Sequence, residues 1–212
     1  LASLCSLQDN ADPLLLVLPA DHVINYQAAF QQVIDQALQS ARQEKLVTFG
    51  IVPSAPETGY GYIERGAELA DGNGYCVEQF VEKPDQKTAQ AYLDSGNYFW
   101  NSGMFLFSAS TYLQELKRHA PDIFESCHQA YANLKRGEDF QLIPEPIFAN
   151  CRSDSIDYAV MEKTAAAVVV PLEAGWNDLG AWDAMWEVQA KDEQGNALSG
   201  DVLTEDVQDS YI

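Results

Sequence analysis

The stretch Leu14-Leu15-Leu16-Val17-Leu18-Pro19-Ala20-Asp21-His22 decides the fold predicted for this chain. Its consecutive apolar residues do not alternate with polar ones, which indicates a strand buried on both faces, as in a parallel sheet covered by helices. Pro19 has no amide proton and would end the strand, so Asp21 is expected just beyond its carboxyl end. Ligands of open α/β sheets bind in the crevice at that end, so Asp21 is a candidate ligand for a metal ion or a substrate hydroxyl. An ordinary helix-capping role is the alternative, and spacing alone favours neither.

The residues after this stretch predict a strand–helix–strand unit. From 26 to about 42, apolar residues recur every three or four positions, which predicts an amphipathic helix, and 46–52 is a second apolar strand. Such a unit predicts a parallel pair of strands with a right-handed crossover. Further along, we predict a hairpin turn at 71–74, strands at 75–81 and 166–172, and helices at 86–93, 109–118, 121–135, 156–163 and 181–190.

Composition narrows the possible partners. The chain has 212 residues with 12 Lys and Arg against 32 Asp and Glu, a formal charge of −20. Such a surface repels phosphate backbones, so neither nucleic acid nor an anionic membrane is expected as a partner. A phosphorylated substrate would need a few local cations or a metal ion. The four cysteines form no C-x-x-C pair, which is typical of reduced thiols in a cytoplasmic protein, and the longest apolar run is too short to span a bilayer.

Two polar segments have the side chains needed to bind a sugar phosphate. In Glu82-Lys83-Pro84, at the end of a predicted strand, a carboxylate could accept hydrogen bonds from sugar hydroxyls and an ammonium could neutralise a phosphate. An exposed ion pair is the more common role for such a dipeptide. In Asn101-Ser102-Gly103, the amide could donate to and accept from vicinal hydroxyls, although an ordinary turn would explain the same residues.

Two further segments combine aromatic residues with glycine or an acid. Around Tyr60 and Gly61, glycines lie between aromatic residues, which suits the flat face of a sugar or base but also suits a hairpin with bulges. Asp178 lies between Trp176 and Trp182, which would hold its loop rigid, and rigid carboxylates suit metal binding. Helix capping is again the competing explanation.

Six short motifs occur in a definite order, and their order is more specific than any one of them. They are Leu18-Pro19-Ala20-Asp21-His22-Val23-Ile24, Glu57-Thr58-Gly59-Tyr60-Gly61-Tyr62-Ile63, Phe80-Val81-Glu82-Lys83-Pro84, Trp100-Asn101-Ser102-Gly103-Met104-Phe105, Ser155-Ile156-Asp157-Tyr158-Ala159-Val160-Met161-Glu162 and Trp176-Asn177-Asp178-Leu179-Gly180. Over roughly residues 12–201, the chain resembles the mannose-1-phosphate guanylyltransferase (GDP-mannose pyrophosphorylase) family. The resemblance is to its long bacterial form, often fused to a phosphomannose isomerase domain.

The resemblance implies a Rossmann-like α/β nucleotidyltransferase fold with a mixed, mostly parallel sheet flanked by helices, incomplete at its N-terminus. It implies that GTP and mannose 1-phosphate give GDP-mannose and pyrophosphate for cell-surface polysaccharide synthesis. Asp21 and Asp178 would hold Mg²⁺ and, with Lys83, act in catalysis by positioning and electrostatics. Glu82 would bind mannose hydroxyls and Lys83 the sugar phosphate. The mannose pocket would be lined by Tyr60, Gly61 and Asn101, and the protein is a possible homodimer.

One departure from the family pattern affects what is expected of these residues alone. The family's glycine-rich Gly-Gly-x-Gly-x-Arg-Leu-x-Pro loop, which grips the triphosphate, does not occur in the sequence. We therefore expect 1–194 to be a partial catalytic domain with little or no turnover by itself, and 195–212 to be a linker or the start of a β-rich domain. The alternatives are a glucose 1-phosphate-type nucleotidyltransferase, a non-catalytic module that binds sugar nucleotide, and a glycosyltransferase, whose usual Asp-x-Asp motif is absent.

Overall fold

A computed structural model describes residues 1–9, 11–137 and 140–212, and a six-stranded sheet with helices on both faces forms its centre. The α-helices are α1 (Ala2–Ser6), α2 (Gln27–Arg42), α3 (Gln86–Ser95), α4 (Ala109–His119), α5 (Pro121–Ala132), α6 (Glu145–Phe148) and α7 (Trp182–Val188), with a 3-10 turn at Leu7–Asp9 and a π-helix at Asp157–Met161. The strands are β1 (Leu14–Val17), β2 (Val23–Ile24), β3 (Leu46–Ile51), β4 (Tyr62–Glu68), β5 (Tyr75–Val81), β6 (Tyr98–Ser108), β7 (Lys135–Arg136), β8 (Gln141–Leu142), β9 (Ala167–Pro171) and β10 (Trp176–Asn177).

The strand order in the main sheet is β1-β6-β3-β9-β5-β4, and β4 also pairs with β6. A mixed sheet flanked by helices is therefore confirmed. The expectation that it is mostly parallel is wrong, because β3 with β9 is the only parallel pair among the described strands. The reason is β6, which runs antiparallel to each of β1, β3 and β4.

The opening stretch has a different position from the one predicted. β1 is an edge strand that pairs with β6 alone among the described strands, and Leu16, Val17 and Leu18 are exposed. The prediction that this strand is buried on both faces is therefore wrong. The predicted parallel pair of β1 and β3 is also wrong, since β6 lies between them. Both nevertheless run in the same direction, because each is antiparallel to β6, and the strand–helix–strand order is confirmed.

Two layers of core explain why the sheet needs helices on both faces. Alternate residues of the central strands point to opposite sides, so Phe49 and Val168 pack in the layer that includes α2, whereas Leu46 and Val169 pack in the layer that includes α4 and the π-helix. These side chains are almost completely buried. The rigid sheet that results fixes the loops at its edge, where the candidate site lies.

The predicted turn at Asn101-Ser102-Gly103 is not a break between elements. These residues lie inside β6, where the pairing with β3 changes register between Thr48 and Gly50, and Gly103 has a left-handed backbone with φ +69°. An irregularity of this kind is a β-bulge, and it redirects the side chains beside it. The prediction of an irregular backbone at these residues is confirmed, but the prediction that they separate two elements is wrong.

The remaining predicted elements are largely confirmed. The turn at 71–74 joins β4 and β5, with the Asn73 amide donating to the Asp71 carboxylate at 3.1 Å. The helix predicted after Ser155 is present as the π-helix. No helix in the described residues is long and apolar enough to cross a membrane.

Candidate functional site

Six of the seven predicted site residues meet in one cavity of about 220 Å³ at the edge of the sheet. Its lining comprises His22, Gly59, Tyr60, Gly61, Glu82, Lys83, Asn101, Ser102, Gly103, Asp157, Trp176 and Asp178. Asp21 is the predicted residue that does not line it. Asp21 is exposed and immediately precedes His22, which does. Residues from widely separated parts of the sequence are thus brought together by the fold.

The hydrogen bonding of β4, β5 and β6 places the sugar-binding candidates opposite one another. Tyr62 at the start of β4 pairs with Val81 at the end of β5, so Gly61 and Glu82 are also adjacent. The amide of Lys83 donates to the carbonyl of Tyr60 at 3.2 Å, and the amide of Asn101 donates to the carbonyl of Gly61 at 2.8 Å. The peptide around Gly61 therefore links the backbones of Lys83 and Asn101 to one rigid frame.

The absence of a side chain at Gly61 allows Glu82 to approach its backbone closely. A Cβ at this position would collide with the Glu82 carboxylate and would lie 3.2 Å from the Asn101 Cβ. By contrast, a Cβ at the neighbouring Gly59 would meet nothing within 4 Å. The missing side chain at Gly61 thus leaves room for Glu82 to reach the cavity.

Glu82 and Lys83 both reach the cavity although they are adjacent in sequence. Lys83 has a left-handed backbone with φ +50°, which an L-residue rarely adopts, and this turns its side chain from the direction expected in a strand. The Lys83 Nζ lies 3.8 Å from Glu82 Oε1, and the Lys83 side chain is 62% exposed whereas that of Glu82 is 14% exposed. The ion pair expected for such a dipeptide is therefore present, but at the mouth of a cavity. Burial, together with the negative charge of Asp157, raises the pKa of Glu82.

Asp157 is a cavity residue for which sequence reasoning predicted no separate role. It begins the π-helix, and its Oδ1 accepts a hydrogen bond from Asn101 Nδ2 at 3.0 Å. Burial raises the pKa of Asp157, because a carboxylate loses hydration there. The available signal was its position in the motif that begins at Ser155. π-helical turns occur often at functional sites.

Tyr60 connects the sugar-binding side of the cavity to Asp178. Its hydroxyl donates to Asp178 Oδ1 at 2.9 Å, and its ring packs edge-on against Trp100 and Trp176. Burial and the hydrogen bond to Asp178 raise the pKa of Tyr60, so the phenol stays protonated and remains a donor. The Gly180 amide donates to the same Oδ1 at 3.1 Å. The Asp178 carboxylate is thus held in a fixed orientation.

The loop around Asp178 is held by one tryptophan and not by two. Trp176 packs against Tyr60, and its Nε1 donates to His22 Nδ1 at 3.1 Å. Trp182 is 74% exposed, so the prediction that it anchors this loop is wrong. It begins α7 and lies near Tyr211. Leu179 contributes local strain with φ +52°.

The pairing of β2 with β10 brings the two predicted metal ligands to the same edge of the molecule. Asn177 pairs with Val23 in an antiparallel register. The next residue, Asp178, therefore lies beside His22, which directly follows Asp21 in the sequence. The described part of the chain contains no group of three or more His, Cys, Asp or Glu side chains arranged to hold a metal ion. Mg²⁺ keeps several water ligands and takes one or two protein carboxylates, so two aspartates suit its chemistry.

Nearly the whole chain has relatives among known proteins. The sequence profile of the family described as nucleotidyl transferase matches residues 2–195. A mannose-1-phosphate guanylyltransferase from Klebsiella pneumoniae is 55% identical over 214 residues, which is 100% of this chain and 45% of that protein. The xanthan biosynthesis protein XanB of Xanthomonas campestris pv. campestris (strain B100) is 56% identical over 211 residues, 99% of this chain and 44% of that protein. The chain thus spans less than half the length of these relatives.

Two solved structures are similar in both sequence and fold. One, titled mannose-1-phosphate geranyltransferase and taken from Thermus thermophilus, is 34% identical with a TM-score of 0.81, covering 94% of this chain and 56% of that one. The other, titled mannose-6-phosphate isomerase from Helicobacter pylori, is 35% identical with a TM-score of 0.75, covering 84% of this chain and 68% of that one. Both similarities cover most of this chain.

Proposed function

This chain belongs to the nucleotidyl transferase family, and on that premise we propose that it carries the sugar-phosphate and metal-binding part of a mannose-1-phosphate guanylyltransferase. The resemblance drawn from the order of the six motifs is confirmed, because several curated relatives at 53–55% identity bear that name. In the proposed reaction, a phosphate oxygen of mannose 1-phosphate attacks the α-phosphorus of GTP. The bond from the α-phosphorus to the bridging oxygen breaks, and pyrophosphate leaves as GDP-mannose forms.

The observation that carries this proposal is the meeting of Gly61, Glu82, Lys83 and Asn101 in one cavity. Glu82 supplies carboxylate oxygens for sugar hydroxyls, and Asn101 supplies an amide. Lys83 is the only Lys or Arg among the lining residues in the described part of the chain, and it lies at the exposed end. A ligand with several hydroxyls at one end and a phosphate at the other fits this distribution of charge.

The reaction needs no protein nucleophile, so the residues act by position and charge. Lys83 neutralises the sugar phosphate and keeps its attacking oxygen near the nucleotide. Glu82, Asn101 and the Gly61 peptide fix the sugar. Holding the sugar fixes the direction in which its phosphate points.

Family members generally use a divalent metal ion, and we propose Mg²⁺ bound by Asp21 and Asp178. In the described contacts, Tyr60 and Gly180 both donate to Oδ1 of Asp178, which leaves the lone pairs of Oδ2 for a cation. The acidic surroundings of the cavity, with Glu82 and Asp157 in its lining, also favour a cation beside a phosphate ligand. When bound, such an ion would offset negative charge on the triphosphate.

Several accompanying proposals remain to be tested. We propose that residues 1–194 form the catalytic part and that 195–212 are a linker or the start of another domain. A cytoplasmic location, a possible homodimer and the absence of turnover by these 212 residues alone stay predictions. The last rests on the missing glycine-rich triphosphate loop in this sequence.

Calorimetric titration of the chain tests the central proposal. Mannose 1-phosphate in the presence of Mg²⁺ should bind. Mannose, which lacks the phosphate, and glucose 1-phosphate, which has one sugar hydroxyl in a different orientation, should each bind at least about tenfold more weakly. Equal or tighter binding of glucose 1-phosphate would favour a glucose 1-phosphate-type enzyme. Binding of mannose 1-phosphate without GTP turnover would support the expectation of an inactive chain, whereas turnover comparable to that of the relatives would contradict it.

A further inference from the structure

The hydrogen-bonding capacity of Asn101 is almost fully used by the protein itself. A side-chain amide has an oxygen that accepts two hydrogen bonds and a nitrogen that donates two. Asn101 Oδ1 accepts from the Gly103 amide at 3.2 Å and lies 3.2 Å from Thr48 Oγ1, whose single proton is shared between this oxygen and the Met104 carbonyl at 3.3 Å. Asn101 Nδ2 donates to Asp157 Oδ1 at 3.0 Å. The second N–H of the amide has no partner among the residues that the structure describes.

The orientation of this amide is fixed by the chemistry of its neighbours. The Gly103 amide can only donate, so it must face the oxygen of Asn101, and an ionised Asp157 can only accept, so it must face the nitrogen. Rotating the amide by half a turn would place an oxygen against the Asp157 carboxylate and an N–H against the Gly103 N–H. Two buried or partly buried polar contacts would then be repulsive.

Both neighbours are themselves held in place. Gly103 lies in the bulge of β6 with a left-handed backbone. Asp157 begins the π-helix, whose last three residues, Ala159, Val160 and Met161, are almost completely buried in the core. The constraint on Asn101 therefore comes from the rigid centre of the molecule.

We propose that Asp157 is a positioning residue that fixes Asn101 as a hydrogen-bond donor toward the bound sugar. With its oxygen facing Gly103 and Thr48, Asn101 offers the ligand a single N–H, whereas the neighbouring Glu82 offers only acceptor oxygens. In this arrangement the site recognises sugar hydroxyls by one amide donor and one carboxylate. This inference deepens the proposed function and rests on it for the identity of the ligand.

Binding measurements on a double-mutant cycle test whether Asp157 acts through Asn101. In the full 212-residue chain, Asp157→Ala should weaken mannose 1-phosphate binding about tenfold, as expected when the Asn101 N–H is no longer held toward a sugar hydroxyl. Asp157→Asn, whose amide oxygen can still accept from Asn101, should recover most of the affinity. In an Asn101→Ala background, Asp157→Ala should cause little further loss.

A matched control separates this effect from a general change in charge. Asp154 lies in the same segment but pairs with Arg152, so Asp154→Ala removes one negative charge without touching Asn101. Its affinity for mannose 1-phosphate should stay within about twofold of the wild type. A loss equal to that of Asp157→Ala would contradict a specific positioning role, as would an undiminished effect of Asp157→Ala in the Asn101→Ala background.

A readout without ligand keeps the inference separate from the proposed function. In a ¹⁵N–¹H spectrum, the side-chain amide pair of Asn101, assigned with Asn101→Ala, should move in Asp157→Ala and return toward its original position in Asp157→Asn. An unchanged pair in Asp157→Ala would overturn the positioning role even if the sugar phosphate binds. Conversely, failure of the wild type to bind mannose 1-phosphate together with the expected spectral change would overturn the proposed function and leave the arrangement of Asn101 supported.

Discussion

Lys83 illustrates how one residue can have both a common and a specific role. It forms the loose ion pair expected from its position next to Glu82, with 3.8 Å between the charged atoms. However, its backbone is left-handed, and its side chain lies at the mouth of the cavity. An exposed pair of this kind contributes little to stability. The unusual backbone is therefore better explained by the need to present the ammonium to a ligand.

Lys83→Ala should weaken binding of mannose 1-phosphate by about ten- to a hundredfold, because the phosphate loses a charge-assisted partner. Binding of mannose itself should not change, since it has no phosphate. Titration calorimetry with both ligands measures the difference. Lys87→Ala, which removes an exposed lysine from the nearby helix α3, is the matched control and should leave both affinities unchanged. Equal losses for Lys83→Ala and Lys87→Ala would indicate only long-range electrostatics.

Gly61 allows a second prediction because Gly96, which lies outside the cavity lining, provides a control. Gly61→Ala would push a methyl group into the Glu82 carboxylate and should lower sugar-phosphate affinity by at least about tenfold. Gly96→Ala, at the end of α3 and outside the cavity lining, should have less than about a twofold effect on this affinity. Affinity is the measurement, and thermal unfolding of each variant checks the fold. Retention of affinity in Gly61→Ala would show that Glu82 does not need its observed position.

At the scale of elements, the bulge in β6 and the π-helix together bring the side chains of Asn101 and Asp157 into contact. The bulge turns Asn101 toward the cavity, and the π-helix brings Asp157 against it, although the two residues are 56 positions apart. Both irregularities lie where a regular strand or helix would point these side chains elsewhere. The contact between Asn101 and Asp157 therefore depends on departures from regular geometry within otherwise rigid elements.

Gly103→Ala tests the contribution of the bulge. A Cβ at a left-handed position costs about 1 kcal/mol of stability, and moving this backbone would also displace the N–H that faces Asn101. Gly96→Ala is the matched control, because Gly96 has a similar φ of +64° and open space around it, but lies at the end of α3. Chemical denaturation should show similar losses of stability in both variants. Only Gly103→Ala should also lose affinity for mannose 1-phosphate.

At the scale of the whole molecule, the candidate site works against stability. Glu82 and Asp157 are carboxyl groups whose pKa values are raised by burial, so the folded state binds their protons more tightly than the unfolded state. A group with a raised pKa contributes stability at low pH, and this contribution is lost as the pH rises through the pKa of the folded state. At neutral pH, the ionised groups are therefore a cost that the surrounding core must offset.

Glu82→Gln should accordingly raise the free energy of unfolding at neutral pH while it abolishes tight binding of the sugar phosphate. The stability gain over the wild type should shrink as the pH falls below the ordinary carboxyl range, to about pH 3, where Glu82 is protonated in both states. Denaturant unfolding at several pH values measures this dependence. Glu125→Gln, on the exposed side of α5, is the control and should show no such pH-dependent gain. A loss of stability in Glu82→Gln at neutral pH would contradict this account.

The sequence by itself predicted most of the helices and six residues that line the cavity, but it also predicted Asp21, which does not line it, and assigned no separate role to Asp157. Periodicity placed α2, α4 and α5, turn chemistry placed the hairpin at 71–74, and the order of six motifs predicted that Tyr60, Gly61, Glu82, Lys83, Asn101 and Asp178 act together. These signals are local, since each depends on side chains within a few positions of one another.

Only the tertiary structure decided how the strands pair and how the site residues contact one another. Apolar residues made β1 look central, but it is an edge strand because β6 returns from a distant part of the chain and pairs with it. The contact of Asp157 with Asn101 and the exposure of Trp182 also result from how distant segments pack together. Pairing between distant segments depends on the packing of the whole core, and a pattern of neighbouring residues contains no direct record of it.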